Sequence, residues 1–385
     1  MRVLYFSRNY NTHDQRFLRA LANTEHQISY MGLEPGRQQL DDRALPAEVE
    51  QIRWAGGRTQ VSIWDAGKLL GDLKRVIREA KPDLIQAGPL QTTAFLVALT
   101  GYQPLVSMSW GYDLLQDANR NALWRWATKY TLRHSAVMVG DCKTIRQKAI
   151  SFGMPDERII TFPWGVDLGL FKPSKDESED EGEVRGYEAG EGRLRSRLGW
   201  GEGVFVLLST RAWESLYGVE VLARAFVKVA GERPQLRLLM LGDGSQAEIL
   251  GEIFRQGGVL DLVHYAGQVG QVDLPDFYRA ADLYISASHS DGTSISLLEA
   301  MACGRPVLVS DIPGNREWVV PGKQGWWFRD GDVESLAEAI STAVDERQRL
   351  PEMGEAAYQL AQQRADWKRN FPVLLEAFEL ARGYV

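Results

Sequence analysis

Short apolar runs alternate with amphipathic stretches along most of the chain. Val3-Leu4-Tyr5-Phe6 is the first run. Thr12-His13-Asp14-Gln15 follows with capping-box spacing, Thr12 standing as the cap of a helix that continues to about Ala22. Further runs at 27–31, 84–87, 105–109, 136–140 and 159–162 predict strands, and 67–80 and 119–134 have helical periodicity. The second half repeats the theme, with strands at 204–209, 236–241, 263–266, 283–286 and 306–310. Helices are predicted there at 219–230, 247–256, 273–280, 295–302 and 333–346. Strand–helix alternation of this kind predicts α/β architecture, with parallel sheets covered by helices on both faces. Two such sheets leave a cleft, and open α/β sheets bind ligands beyond the C-terminal ends of their strands. Two facing sets of strand ends point to a two-substrate enzyme.

Composition narrows this picture. A length of 385 residues fits two domains at about 150 residues each. With 44% hydrophobic and 25% charged residues, the chain is neither disordered nor fibrous. The two cysteines, Cys142 and Cys303, are too few for a disulfide framework or a four-ligand zinc site and suit a reducing compartment. No apolar run reaches the roughly 18–20 residues of a membrane span, and the N-terminus turns polar too soon for a signal peptide. The expectation is a cytoplasmic protein. Its net charge of −7 is concentrated at 176–192, where eight acids face one base, Arg185. The remainder is neutral overall and gives no sign of nucleic-acid binding. The acidic stretch, about 174–192, reads as a flexible insertion, either a solvated loop or an acidic docking tail.

Several motifs carry candidate chemistry. Gly242-Asp243-Gly244-Ser245-Gln246-Ala247 fits a dinucleotide glycine turn, but it follows the second strand of its half. No acid ends the next strand, at Tyr265-Ala266-Gly267-Gln268, so close backbone approach to some other ligand is the better reading. The five histidines have no ligand-like spacing, and no metal site is expected. Asp332 in Asp330-Gly331-Asp332 reads as a helix cap. Residues 119–134 combine Trp124, Trp126 and Tyr130 with Arg120, Arg125, Lys129 and Arg133, the last three bases on one helix face. This is either a stripe for an anionic membrane surface or a surface helix whose aromatics enter the core.

The sharpest constellation runs from Ser286 to Pro306. A strand ends near Ser286, a loop of small residues opens a helix, and Gly304 with Pro306 closes it. The free N–H groups of the first turn, at about 294–296, form an anion site helped by the helix dipole. Asp291 precedes that turn and Glu299 lies a turn inside the helix, so two carboxylates flank a phosphate-sized site. Alternatively, Glu299 is a surface residue and Asp291 a turn former.

Asp291-x7-Glu299-Ala300-Met301-Ala302-Cys303-Gly304-Arg305-Pro306, with Leu241-Gly242-Asp243-Gly244 upstream, resembles the retaining glycosyltransferases of the GT-B fold. It is most similar to family four, the bacterial group 1 transferases, whose signature is E-x7-E followed by A-M-A-C-G-x-P. The likeness spans about 204–345 and extends to Gly165-Val166-Asp167 and, more weakly, to Lys81-Pro82-Asp83. It implies two Rossmann-like doubly wound domains facing a central cleft. The expected divisions are 1–165 for the acceptor, 193–365 for a nucleotide sugar, and 366–385 as a helix returning to the first domain. It also implies that Glu299 binds the nucleotide ribose and that Asp291 reaches the donor sugar. Gly292, Thr293, Ser294, Ile295 and Ser296 would hold the diphosphate, with Gly242 and Gly244 close by and the base near 267–274.

The chain departs from the family pattern in several places. Its first acid is Asp rather than Glu. The family's diphosphate clamp pairs Arg with Lys; Arg211 is present, but the Lys position reads Leu216-Tyr217-Gly218. Tyr217 donates one neutral hydrogen bond and no charge, so Arg211 and the helix terminus would carry the leaving group, with Arg316 a possible substitute. In the first half Trp110-Gly111-Tyr112-Asp113 stands where relatives carry H-G-x-D, leaving His13, Trp110 and Asp113 as acceptor-side candidates. The function so implied is metal-independent transfer of a hexose from a UDP- or GDP-sugar, with retention, in polysaccharide biosynthesis. No cofactor is expected. The acceptor would be a glycan, a lipid-linked carbohydrate or a small molecule, with peripheral contact on the inner membrane face. An epimerase of the same fold and a non-catalytic sugar-nucleotide binder stay open.

Overall fold

In the computed structural model the alternation resolves into two parallel sheets. Residues 1–36, 44–174 and 191–384 are described. The acidic stretch lies outside them, except for its ends: residue 174, and residues 191–192, which open the helix Glu191–Arg197. Contacts divide the chain into two units, Met1–Pro163 with Arg369–Val385, and Trp164–Lys368.

The first unit holds strands β1 (Arg2–Ser7), β2 (Gln27–Gly32), β3 (Glu50–Gln51), β4 (Leu84–Gly88), β5 (Leu105–Met108), β6 (Val137–Gly140) and β7 (Ile159–Thr161). Their order is β3-β2-β1-β4-β5-β6-β7 and all pairings are parallel. Register sets Val3 beside both Ile28 and Leu84. Leu4, Phe6, Ile85 and Ala87 pack with the helices Ala66–Ala80 and Thr93–Thr100. The C-terminal helix, Pro372–Arg382, lies against β5, β6 and β7.

The first helix corrects one expectation. Its cap is Asn11, not Thr12. Asn11 Oδ1 accepts from the amides of His13 and Asp14, and Asp14 Oδ2 accepts from the Asn11 amide at 3.0 Å. The box forms one residue early because Asp14 is fully buried and also accepts from the Tyr5 hydroxyl at 2.9 Å. Lys81-Pro82-Asp83 is a scaffold: Asp83 accepts from the Arg2 amide at 2.7 Å and pairs with its guanidinium.

The second unit holds β8 (Phe205–Ser209), β9 (Leu236–Leu241), β10 (Val263–Gly267), β11 (Leu283–Ser286), β12 (Val307–Ser310) and β13 (Gly325–Phe328), in the order β10-β9-β8-β11-β12-β13. Alternation along β8 sends Phe205 and Leu207 into one core and Val206 and Leu208 into the other. Burial on both faces is why these strands read as continuous apolar runs. Gly165 belongs to this unit at φ +74; a Cβ there would lie 2.7 Å from the Ala365 carbonyl, so Gly165-Val166-Asp167 is a site of close backbone approach. Asp332 caps the helix Val333–Asp345 through the Ser335 amide at 2.9 Å.

The edges β3 and β13 and the helix Leu350–Arg364 escape the hydropathy pattern. β3 is two exposed residues, and β13 opens on Gly325, where a Cβ would overlap the Val307 carbonyl.

Candidate functional site

A dense polar cluster stands at the ends of β8 and β11. Arg211 follows β8 by two residues, and its side chain is only 12% exposed. One guanidinium nitrogen donates to Ser294 Oγ at 2.7 Å and Ser296 Oγ at 3.0 Å; another reaches Asp291 Oδ2 at 2.8 Å. Burial opposes the charge, but Asp291 and the phenols of Tyr217, Tyr284 and Tyr278 around it together outweigh burial and hold the guanidinium above its ordinary pKa. The Nε donor of Arg211 is buried without a partner among the described residues. The Tyr217 ring lies 4.1 Å from the guanidinium carbon, in cation–π contact.

Local sequence makes this geometry possible. Gly218 adopts φ +59, and a Cβ there would lie 2.0 Å from the Ala287 carbonyl, so only glycine lets the Tyr217 turn reach the end of β11. Ser294 caps the helix Ile295–Ala302 and bonds Ser296 Oγ at 3.1 Å. The Tyr284 hydroxyl meets Ser296 Oγ at 2.7 Å. One turn along, Glu299 Oε2 accepts from Tyr278 OH at 2.8 Å, and that hydroxyl also meets Thr210 Oγ1 at 3.1 Å. Burial, and then the Glu299 charge, raise the Tyr278 pKa, keeping the phenol a donor. Tyr278 and Tyr284 were not singled out from sequence; their positions inside apolar segments disguise polar tips aimed at the helix.

The structure thus brings together Arg211, Tyr217, Asp291, Ser294 and Ser296, with Glu299 and Tyr278 joined to them through Thr210 beside Arg211. Ile295 opens the helix, and Gly292 and Thr293 lie in the buried loop before it. The glycine turn packs tightly against the Arg211 loop. Gly244 closes on the chain itself: a Cβ there would sit 2.4 Å from the Trp213 carbonyl, and one on Gly242 3.1 Å from that of Arg211. Both glycines hold the Arg211 loop in place by close packing. Arg316 does not join the cluster; it pairs with Asp311 at 2.6 Å and faces Trp327.

In the first unit, His13 stacks on Trp110 at 5.7 Å between ring centres. Asp113 is not available to a ligand. It is fully buried, with Oδ1 accepting from Ser109 Oγ and the amides of Trp110 and Leu114, and Oδ2 accepting from the Leu90 amide. A cavity of about 380 Å³ beyond β2 is lined by residues that include Tyr10, Tyr30, Glu34, Arg53 and Trp54. These side chains come from separate segments, so no contiguous motif announced them. Among the described residues no group of three His, Cys, Asp or Glu side chains is placed to hold a metal, and no helix is long and apolar enough to cross a membrane.

Known families settle the kinship. The family described as "Glycosyl transferases group 1" matches residues 191–360, and the "Glycosyl transferase 4-like domain" matches residues 10–165. The chain belongs to the group 1 glycosyltransferases. The whole cluster around Arg211 falls within the group 1 match. Among curated relatives, the D-inositol 3-phosphate glycosyltransferase of Thermobispora bispora is 28% identical over 58% of this chain and 51% of its own. That of Streptomyces coelicolor is 30% identical over 54% and 47%. The chain thus spans about half the length of the curated relatives it matches. Among solved structures, Anabaena HepE in complex with UDP-glucose superposes with a TM-score of 0.78 at 21% identity, covering 98% of this chain and 99% of that one. Sucrose-phosphate synthase from Thermosynechococcus elongatus gives 0.79 at 16%, covering 100% of both. These likenesses establish the GT-B fold of this group 1 member.

Proposed function

We propose that this chain is a glycosyltransferase that takes a hexose from a nucleotide diphosphate sugar and passes it, with retention, to a carbohydrate, lipid-linked or small-molecule acceptor. The observation that carries the reading is Arg211 held by Asp291, Ser294 and Ser296 at the start of the helix Ile295–Ala302. A buried guanidinium beside free helical N–H groups is built to receive negative charge. A donor diphosphate fits that charge, and Glu299, oriented by Tyr278, accepts the ribose hydroxyls. Asp291 has one oxygen on Arg211 and directs the other to the donor sugar. The structure of HepE with UDP-glucose favours a uridine donor, and the relatives named for D-inositol 3-phosphate favour a polyol or carbohydrate acceptor. The first unit offers the acceptor side, through the stacked His13–Trp110 pair and the aromatic cavity beyond β2.

Transfer then depends on positioning and on neutralising the departing diphosphate. Arg211 and the helix amides stabilise the charge that grows on the leaving phosphate. The acceptor hydroxyl attacks from the same face, its proton passing to a leaving-phosphate oxygen, with no covalent enzyme intermediate. Incubation with UDP-hexoses and a panel of glycan, polyol and lipid-linked acceptors tests this. The expected result is UDP release tied to acceptor, with the donor's anomeric configuration kept in the product by NMR. Sugar interconversion without acceptor, or donor binding with no turnover, would contradict it.

A further inference from the structure

The helix Ala122–Arg133 presents a face that the transfer reading leaves unused. Its inner side, Ala127, Thr128, Thr131 and Leu132, is buried. The outer side carries two parallel stripes. Leu123, Trp126 and Tyr130 form one, and Arg125, Lys129 and Arg133 the other, each at helical spacing. Leu123 is 53% exposed and Trp126 50%, so these two side chains do not enter the core, while Tyr130 is half-buried and packs against it. Trp126 stands edge-on to Phe95 at 5.4 Å and packs on Tyr130 at 5.5 Å. Phe95 comes from the helix Thr93–Thr100, whose sequence, TAFLVALT, contains no charge. Arg120, just before the helix, lies over the ring of Trp124. In a chain of net charge −7, residues 118–134 contain no Asp or Glu.

We propose that this face docks the first unit on an anionic phospholipid surface. Trp and Tyr rings are suited to the boundary between headgroups and acyl chains, where one edge is apolar and the other wet. The three bases of the neighbouring stripe meet lipid phosphates, each strengthening partition by about fivefold. The absence of acids removes the repulsion that an anionic surface would otherwise meet. The two stripes together match a helix lying in the interfacial plane, not one that crosses the bilayer.

The inner side of the helix ties this surface to the candidate acceptor loop. Gln91 Nε2 donates to both the Asp113 carbonyl and Thr128 Oγ1, at 2.7 and 2.9 Å, and Thr131 Oγ1 donates to the Leu90 carbonyl at 2.9 Å. A docked helix would therefore hold the Trp110–Asp113 loop close to the lipid. The docking claim itself stands on this surface alone and does not depend on the transfer reading.

Co-sedimentation with vesicles tests it. The full chain is mixed with phosphatidylcholine vesicles, or with vesicles of phosphatidylcholine and phosphatidylglycerol at about 7:3. Binding is expected to the anionic vesicles only, with release in high salt. Lys129→Glu with Arg133→Glu should weaken binding at least tenfold, and Leu123→Ser with Trp126→Ser at least fivefold, with donor binding and thermal midpoint unchanged. Absence of binding to the anionic vesicles, equal binding to both kinds, or binding untouched by either pair would overturn the proposal. Self-association lost on charge reversal, without vesicle binding, would assign the face to a second copy and overturn it too. The wild-type comparison of lipids and salt decides the matter even if a double variant fails to fold.

Discussion

Two aspartates at the ends of parallel strands have opposite fates. Asp113 follows β5 and Asp291 follows β11. Asp113 is sealed, its two oxygens shared among one hydroxyl and three amides, with no cation among those partners. Burial pushes its pKa up to about 6. Asp291 remains partly exposed, with 19% of its side chain in solvent, and faces a guanidinium that is itself one donor short of satisfied. One carboxylate closes a loop, and the other leaves a charged site open. Residue type and position relative to a strand do not separate these outcomes. What separates them is whether the local amides already consume the acceptor.

The contrast is testable by removing each side in turn. Arg211→Ala should lower turnover by about 10²–10³-fold, as loss of one charge-stabilising donor does elsewhere. Steady-state rates with a UDP-hexose measure this, and an unaltered rate would remove Arg211 from the reaction. Asp113→Ala should leave donor affinity unchanged but lower stability by about 3 kcal/mol, because its buried donors lose their acceptor. Urea unfolding reads the effect. Glu299→Ala should weaken donor binding by about tenfold in calorimetry, through loss of a charged hydrogen bond.

A smaller effect is expected with pH. Burial raises Asp14 to about 7, as it raises Asp113, both well above the unfolded value near 3.9. The folded state then binds these protons more tightly, so their contribution to stability falls as pH rises from about 4 to about 7 and is level above. Unfolding at pH 5 and pH 8 should show this slope, and Asp14→Asn should flatten it; a slope unaltered in the variant would contradict the assignment. The least effect is expected for Tyr217→Phe, which keeps the ring under Arg211 and should change turnover less than twofold. Tyr217→Leu, losing the cation–π contact, should cost several-fold.

Much of this arrangement was legible in the sequence. Most strands of both sheets read as apolar runs because burial on both faces removes polar alternation. The small-residue loop opening the helix at 294–296 was legible as a local signature, whereas the residues alone left Asp291 and Glu299 open between site acids and a turn former or surface residue, and only the family resemblance pointed to the former. What was hidden depends on contacts distant in sequence. Tyr278 and Tyr284 look like core aromatics until their hydroxyls are seen to meet Glu299 and Ser296. The glycine turn was legible at Gly242 and Gly244, but their close packing on the backbone of Arg211 and Trp213 was not. Asp113 looks like a cleft acid until its donors are counted. The exposure of Leu123 and Trp126 was equally undecidable, since helical spacing does not say which face its neighbours cover.

The most direct test of the central claim is a crystal of the protein soaked with a UDP-hexose. The account predicts diphosphate oxygens within hydrogen-bond reach of Arg211 and of the amides of residues 294–296, and ribose hydroxyls on Glu299. A diphosphate bound elsewhere, or Arg211 still closed on Asp291 and the serines with no ligand beside it, would contradict it.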